Sequence, residues 1–198
     1  VATRRAEQKA RTRAKVLEAA RSSFEALGYE GTTIATVAER AGVSVGTVMG
    51  HFPDKSALVA AAFHDAIEEV VQEALQTMPE GPLVTRLLHM SGLLYRFYGR
   101  DPALSAALVR ETTFMEGPAM DPLTAQIGRQ FAWLGQELAA AQARGEVAPD
   151  LDPRVAVLGY WADYYLVLLM GLRGERLGLD AQLGLLGGLL RMRLRPRV

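Results

Sequence analysis

Residues 33–52 hold two short helical patterns separated by only four residues, Gly42-Val43-Ser44-Val45, and that spacing leaves room for little except a tight helical corner. Ile34, Val37, Ala38 and Ala41 recur at helical intervals and form one apolar face. Thr33 or Thr32 can cap that helix at its start. Gly42 ends it, because glycine enters the left-handed region without a Cβ clash. Ser44 is suited to cap the next helix, which is expected to run from Gly46 to Phe52 and stop before Pro53. Val43 is placed to plug the small core between the two. This arrangement is the helix-turn-helix, whose second helix enters the major groove of DNA. An ordinary helical hairpin has the same spacing, and spacing alone does not separate the two.

The rest of the chain is read as helix throughout. Val16, Leu17, Ala20, Phe24 and Leu27 make an apolar stripe over residues 13–27, stopped by Gly28. Asp54 opens a helix to about residue 75, and Pro79, Gly81 and Pro82 close the first region. Further helices are predicted over 83–98, 102–114, 122–144, 153–169 and 179–194, with a loop at 116–118. Asp152 before Pro153 is a strong helix start. No segment alternates like a strand, and nothing repeats at a fixed period. The expected fold class is all-α: an N-terminal three-helix helix-turn-helix domain over residues 1–53, then a larger helical domain over 54–198. Phe24, Tyr29 and Phe52 are assigned to the core.

The formal net charge is zero, but it is unevenly spread. Residues 1–60 carry 9 basic and 6 acidic side chains, while residues 61–182 carry 9 basic and 16 acidic ones. The sharpest basic run is Arg4, Arg5, Lys9, Arg11, Arg13 and Lys15, and four arginines, Arg191, Arg193, Arg195 and Arg197, lie at the other end. Such asymmetry can hold one end against a polyanion; a solvated helix face has the same look. The chain has no cysteine, so disulfides and thiolate metal sites are excluded. Its three histidines, 51, 64 and 89, are too far apart for a conventional metal site, and no phosphate loop or nucleophile elbow occurs. Asp65, Glu68 and Glu69 read as a solvated face. No enzyme, metal or cofactor is therefore expected. No uninterrupted apolar stretch reaches membrane-spanning length and no signal peptide is expected, so the expected location is the cytoplasm, with no membrane partner.

The stretch 19–33, AARSSFEALGYEGTT, resembles the opening of the TetR family of bacterial repressors. So does Val37-Ala38-Glu39-Arg40-Ala41-Gly42-Val43-Ser44, followed by Gly46-Thr47, His51-Phe52 and Lys55. The resemblance runs residue by residue over about 12–58. It implies a homodimer on a palindromic double-stranded DNA operator, with repression as the better expectation. A small-molecule effector in the ligand-binding and dimerisation domain (54–198) would release the DNA. It also implies roles for single residues. Thr33 and Lys55 are expected on phosphates, Ser44, Val45, Gly46, Thr47 and Met49 in the groove, His51 on a phosphate, and Arg4 and Arg5 along the backbone or in the minor groove. The chain departs from relatives at Ala35, Val45 and Met49, where they often carry charged residues or tyrosine, and Gly50 is small for a reading helix. Val45 and Met49 can still touch thymine methyls. The alternative function is a helical ligand-binding or interaction protein that has lost operator recognition.

The last helix is apolar on most sides, with Gly184, Gly187 and Gly188 among its leucines, which fits a helix half-buried against a second copy. The family places its dimer interface on the last two helices, here residues 154–172 and 179–190. Ligand contacts are expected among Tyr95, Arg110, Phe114, Met115, Phe131, Trp161, Asp163 and Tyr164, with Trp133, Tyr165 and His89 as further candidates; an ordinary core would use the same aromatics. Asp163 lies in an uncharged run, 161–170, and if buried needs a partner: an arginine, a tyrosine hydroxyl, the other subunit or a cationic ligand. Solvent exposure is the simpler reading.

Overall fold

The computed structural model describes residues 2–173 and 177–194. Arg195 and Arg197 of the C-terminal basic run lie outside them. Among the described residues nine α-helices follow in order: α1 (Ala2–Gly31), α2 (Ile34–Ala41), α3 (Val45–Met49), α4 (Lys55–Gln76), α5 (Leu83–Gly99), α6 (Pro102–Thr113), α7 (Asp121–Ala143), α8 (Pro153–Leu172) and α9 (Leu179–Arg193). A 3-10 turn, Pro118–Met120, stands where a plain loop was expected. No strand occurs among the described residues, in line with the all-α reading. Two compact units emerge, one of residues 1–66 with 103–123, the other of residues 67–102 with 124–198. The linear division at 53/54 remains a proposal about which residues serve DNA and which serve ligand.

In the first unit α1 packs on α2 and α2 on α3. Val16, Ala20, Phe24, Val37, Val48 and Leu58 are almost wholly buried there, joined by Phe52, Phe63 and Tyr29. Gly28 (φ 70°, ψ 176°) breaks the helical path of α1. Tyr29 beyond the break stacks on Phe24 at 5.9 Å. Leu27, placed in the apolar stripe by its spacing, is instead 48 % exposed, because the stripe ends one turn before the kink.

The second unit is held by α5, α8 and α9 packed on one another. Leu83, Leu87, Leu134, Val167, Leu186 and Leu190 form its centre. α5 lacks a side-chain cap from Pro82. Glu146 supplies it, its Oε2 accepting from the Leu83 N–H at 2.8 Å. Arg86 clamps α5 to α7, donating through Nε and Nη2 to both oxygens of Glu137 at 2.6 and 2.7 Å and through Nη1 to the Pro79 carbonyl at 2.9 Å. Neither side chain of that pair is a quarter exposed. Removing one partner strands the other, so Arg86→Met is expected to lower folding stability by about 2 kcal/mol. Denaturant unfolding monitored by circular dichroism checks this; an unchanged midpoint would show the clamp to be a surface ornament.

By length and composition α8 is the one helix among the described residues apolar enough to cross a membrane, although Asp163 interrupts its apolar run. Asp163 sits midway along it, 8 % exposed. Of the partners open to it, an arginine is the one found: Arg193 of α9 donates from Nε to Oδ2 at 3.0 Å and from Nη2 to Oδ1 at 2.9 Å. The simpler reading of Asp163 as solvent-exposed is thus corrected, because the turn of α9 brings Arg193 across the helix pair.

Candidate nucleic-acid interface

The corner between α2 and α3 is closed by its own caps. Thr33, not Thr32, caps α2: its Oγ1 accepts from the Thr36 N–H at 3.0 Å. Thr32 is buried and donates to the Gly28 carbonyl at 2.8 Å. Gly42 adopts φ 66°, ψ 36°, a left-handed cap that a β-branched residue would resist. The Ser44 hydroxyl accepts from the Thr47 N–H at 3.1 Å and shares a hydrogen bond with the Thr47 hydroxyl at 2.9 Å. α3 begins one residue earlier than expected, at Val45, and its α-helical path ends at Met49. Val43 is therefore only half-buried, and Val48, fully buried, is the residue that plugs the corner.

Capping orients the outward face of α3. Val45 is 43 % and Met49 53 % exposed, and Gly46 and Gly50 stand exposed beside them. These four positions form two i, i+4 rows, one apolar and one without side chains. The face can approach a groove closely and offers it methyl and thioether contacts rather than hydrogen-bonding groups. The Thr33, Ser44 and Thr47 hydroxyls are partly committed to the caps but keep capacity for one further contact each.

Arg4 and Arg5 are exposed on α1, which already begins at Ala2, so both project from a helix rather than an extended arm. Arg5, Lys9 and Arg13 recur every four residues along one side of it. That row leads to the corner: the Arg13 guanidinium lies 5.3 Å from the Phe52 ring. Partial burial, and then the charges of Lys9 and Arg13, hold the His51 imidazole below its ordinary pKa. Lys9 and Arg13, members of the basic run read from the sequence, thus stand beside the corner, and their i, i+4 spacing from Arg5 places all three on one side of α1. Lys55 is half-buried, its Nζ donating to the Tyr29 carbonyl at 3.0 Å and lying 4.1 Å from that ring's centroid. One of its three N–H groups is therefore already used.

The residues expected to line a ligand site are divided. Tyr95, Tyr164, Trp161 and Phe131 come together in the second unit: Tyr95 stacks on Tyr164 at 5.1 Å, Trp161 lies 5.5 Å from Tyr164, and Phe131 meets Trp161 edge-on at 5.2 Å. The Tyr95 hydroxyl donates to the Tyr164 carbonyl at 2.9 Å, and burial pushes its pKa far above the usual phenol value. Asp163 is engaged with Arg193. Arg110, Phe114 and Met115 belong to the first unit. Arg110 pairs there with Glu30 and Glu111, and Phe114 is 90 % exposed. In the second unit one cavity of about 360 Å³ reaches Tyr95, Tyr98 and Gln182. Another of about 100 Å³ lies among α4, α5 and α7 side chains, lined by Glu68, Val71, Leu75, Met90, Gln126 and Trp133 among others. Sequence reading passed over Gln126, since a neutral amide carries no titration or metal signature, and assigned Glu68 to a solvated face.

Residues 16–62 match the family model for bacterial regulatory proteins of the tetR family. The chain is 32 % identical over 108 residues to the HTH-type transcriptional repressor KstR of Mycolicibacterium smegmatis, covering 54 % of this chain and 53 % of that protein. It is 30 % identical over 168 residues to the HTH-type transcriptional regulator TtgR of Pseudomonas putida, covering 79 % and 78 %. Matches to KstR proteins from three bacteria span only 53, 61 and 58 % of their length. Among solved structures, FadR of Thermus thermophilus, a TetR-family repressor in complex with lauroyl-CoA, superposes with a TM-score of 0.71 at 20 % identity, covering 91 % of this chain and 92 % of that one. At that identity the likeness is one of fold.

Proposed function

Because the chain belongs to the TetR family of bacterial regulatory proteins, we propose that it is a transcriptional repressor that binds a palindromic operator as a homodimer and is released by a small effector, acting in the cytoplasm where that DNA lies. The observation that carries this reading is the capped corner with its outward row of Val45, Gly46, Met49 and Gly50, flanked by the basic row of α1. The row supplies phosphate contacts and the corner supplies the groove-facing helix. Thr33, Ser44, Thr47, His51 and Lys55 stand around that helix as its polar contacts.

Support for the homodimer is the outer side of α8 and α9. Leu158, Ala162, Leu166 and Met170 recur every four residues and are exposed, with Leu158 at 60 % and Leu166 at 54 %. On α9 the exposed line is Ala181, Gly184, Leu185, Gly188 and Met192. A Cβ added at Gly184 or Gly188 would meet nothing within 4 Å, so those glycines leave room for a second backbone. An apolar face of this length left open to water marks an interaction surface. The cavity among α4, α5 and α7 is the effector site in this reading, and release follows from effector binding better to a form that does not grip DNA.

Selection from a randomised duplex library with the purified chain, followed by a salt series on the enriched sequence, tests the proposal. A palindrome with half-sites about one helical turn apart, bound more weakly as salt rises, is the expected result. Absence of any enriched sequence from a folded protein would favour the helical interaction protein that no longer reads DNA.

His51 gives this reading a pH signature. Its pKa is lowered in the free protein, first by burial and then by Lys9 and Arg13. A DNA phosphate opposes both charges and raises it, so the complex takes up a proton. Operator affinity is therefore expected to rise as pH falls through the ordinary histidine range, around 6.5. Fluorescence anisotropy titrations between pH 7.5 and about 6 check the slope. The His51→Gln protein should show a flatter profile, and an unchanged one would remove His51 from the interface.

A further inference from the structure

Among the described residues one buried side-chain polar atom has no hydrogen-bond partner: Oε1 of Gln126. The residue is 1 % exposed and faces the cavity of about 100 Å³ among α4, α5 and α7. Its amide cannot simply be turned over. Nε2 donates to Glu68 Oε2 at 2.8 Å, and a flipped amide would set oxygen against carboxylate. The orphan is therefore an acceptor, and native interiors do not leave buried acceptors unanswered without a reason.

We propose that this cavity binds the head of a small uncharged molecule that donates one hydroxyl or N–H hydrogen bond to Gln126 Oε1, with phenol the simplest member of the class. The proposal rests on the effector-site reading above and names the ligand chemistry of that site. Shape and walls set the body of the ligand. Val71, Leu75, Met90 and Trp133 line the cavity, and a thioether and an indole favour an aromatic ring. A cavity of roughly 150 Å³ takes up benzene, so one somewhat smaller accepts a flat head of about that size with slight adjustment of its walls.

Charge sets the rest. Burial would raise the pKa of Glu68, but hydrogen bonds from Gln72, Gln126 and Arg129 outweigh it and keep the carboxylate ionised. Arg129 Nη2 reaches the same Oε2 at 2.8 Å, and Gln72 Nε2 reaches Oε1 at 3.1 Å. The negative charge is thus already answered by a guanidinium, and a cationic ligand finds no unpaired partner. An anion would face the Gln126 oxygen and the carboxylate behind it. A neutral donor suits the site.

The test compares phenol with fluorobenzene, a near-isostere without a donor, in titrations of the full chain followed by Trp133 and Trp161 fluorescence and by calorimetry. Phenol is expected to bind at least tenfold more tightly than fluorobenzene, and benzoate not at all. Gln126→Leu should reduce that ratio to near one while leaving the circular dichroism melt intact. Equal binding of the two probes to the wild-type protein overturns the proposal without recourse to any variant. So does failure of both to bind the folded chain, which would leave a trapped water as the partner of Oε1. Operator binding is measured separately. Phenol that binds through Gln126 but leaves the operator complex untouched overturns the effector reading and keeps the site. Release of DNA by other compounds with no phenol binding does the reverse.

Discussion

The Leu158→Asp, Leu166→Asp double variant is expected to be a folded monomer that has lost operator binding at any practical concentration. Both leucines are more than half exposed on α8, so their removal leaves the unit's own core of Val167, Leu186 and Leu190 unchanged. In a two-fold interface the same patch serves both subunits, so two substitutions per chain become four per dimer. Each leucine that is fully buried between copies contributes about 1.5–3 kcal/mol, so four lost contacts amount to roughly 6–12 kcal/mol before any repulsion among the new carboxylates. That exceeds what is needed to raise the dimer dissociation constant about ten-thousandfold. Two reading heads that are no longer joined also lose their effective concentration, which is commonly worth a factor of about 10²–10⁴. Sedimentation equilibrium reports the mass and gel-shift titration the affinity. A variant that remains dimeric would place the interface elsewhere and leave the exposed stripe of α8 without a role.

Reversing two charges on α1, Lys9→Glu with Arg13→Glu, is the second large effect expected. Both side chains are exposed, and the fold loses only the Arg13 contact with Phe52, worth about 0.5–1 kcal/mol at such a site. Operator binding loses more. Each phosphate contact contributes a slope of about 0.9 in log affinity against log salt, so the slope should fall by nearly two. At low salt the new carboxylates repel the backbone as well, and affinity should drop about a hundredfold or more, the drop shrinking as salt rises. Fluorescence anisotropy across the salt series measures both numbers. An unchanged slope would mean that the row Arg5, Lys9 and Arg13 is a solvated helix face, the other reading open to it from charge alone. The His51 profile offers a cross-check: with the two cations gone, the imidazole loses both charges that help to hold its pKa down.

Arg86→Met and these variants separate by what they disturb. The clamp on Glu137 acts on stability within the second unit; the α1 substitutions change contacts outside the chain and should leave the unfolding midpoint nearly unmoved, whereas the α8 pair removes the stabilisation that dimerisation lends and should lower the midpoint and make it independent of protein concentration. That contrast is useful because a regulator can lose function through either route.

Much of the fold was legible before any coordinates. Gly42, Ser44, Asp54 and the Asp152-Pro153 pair each act on the next few residues of backbone, and each marks a helix boundary within one or two residues of its place in the structure, whereas Gly28 kinks α1, which runs on to Gly31. Asp54 does accept from the Ala57 N–H at 2.7 Å, and Asp152 from the Arg154 N–H at 2.8 Å. The family resemblance was carried by the same short stretch and needed no knowledge of packing. Where spacing misled, the competing factor was tertiary. Leu27 has the right interval for the core but lies beside the kink at Gly28, and Val43 yields its place in the corner to Val48 because α3 begins one residue early.

The sequence by itself determined the helical class, the caps at Ser44, Asp54 and Asp152 and the αL corner between α2 and α3, since all of these follow from interactions between residues a turn or less apart. Only the tertiary structure decided which distant groups meet. Glu146 caps Leu83 across 63 residues, Gln126 reaches Glu68 across 58, and Arg193 answers Asp163 across 30. No local periodicity encodes such pairs: they depend on which helix faces pack together, and a polar side chain shows whether it is satisfied or orphaned only after the apolar surfaces around it have closed.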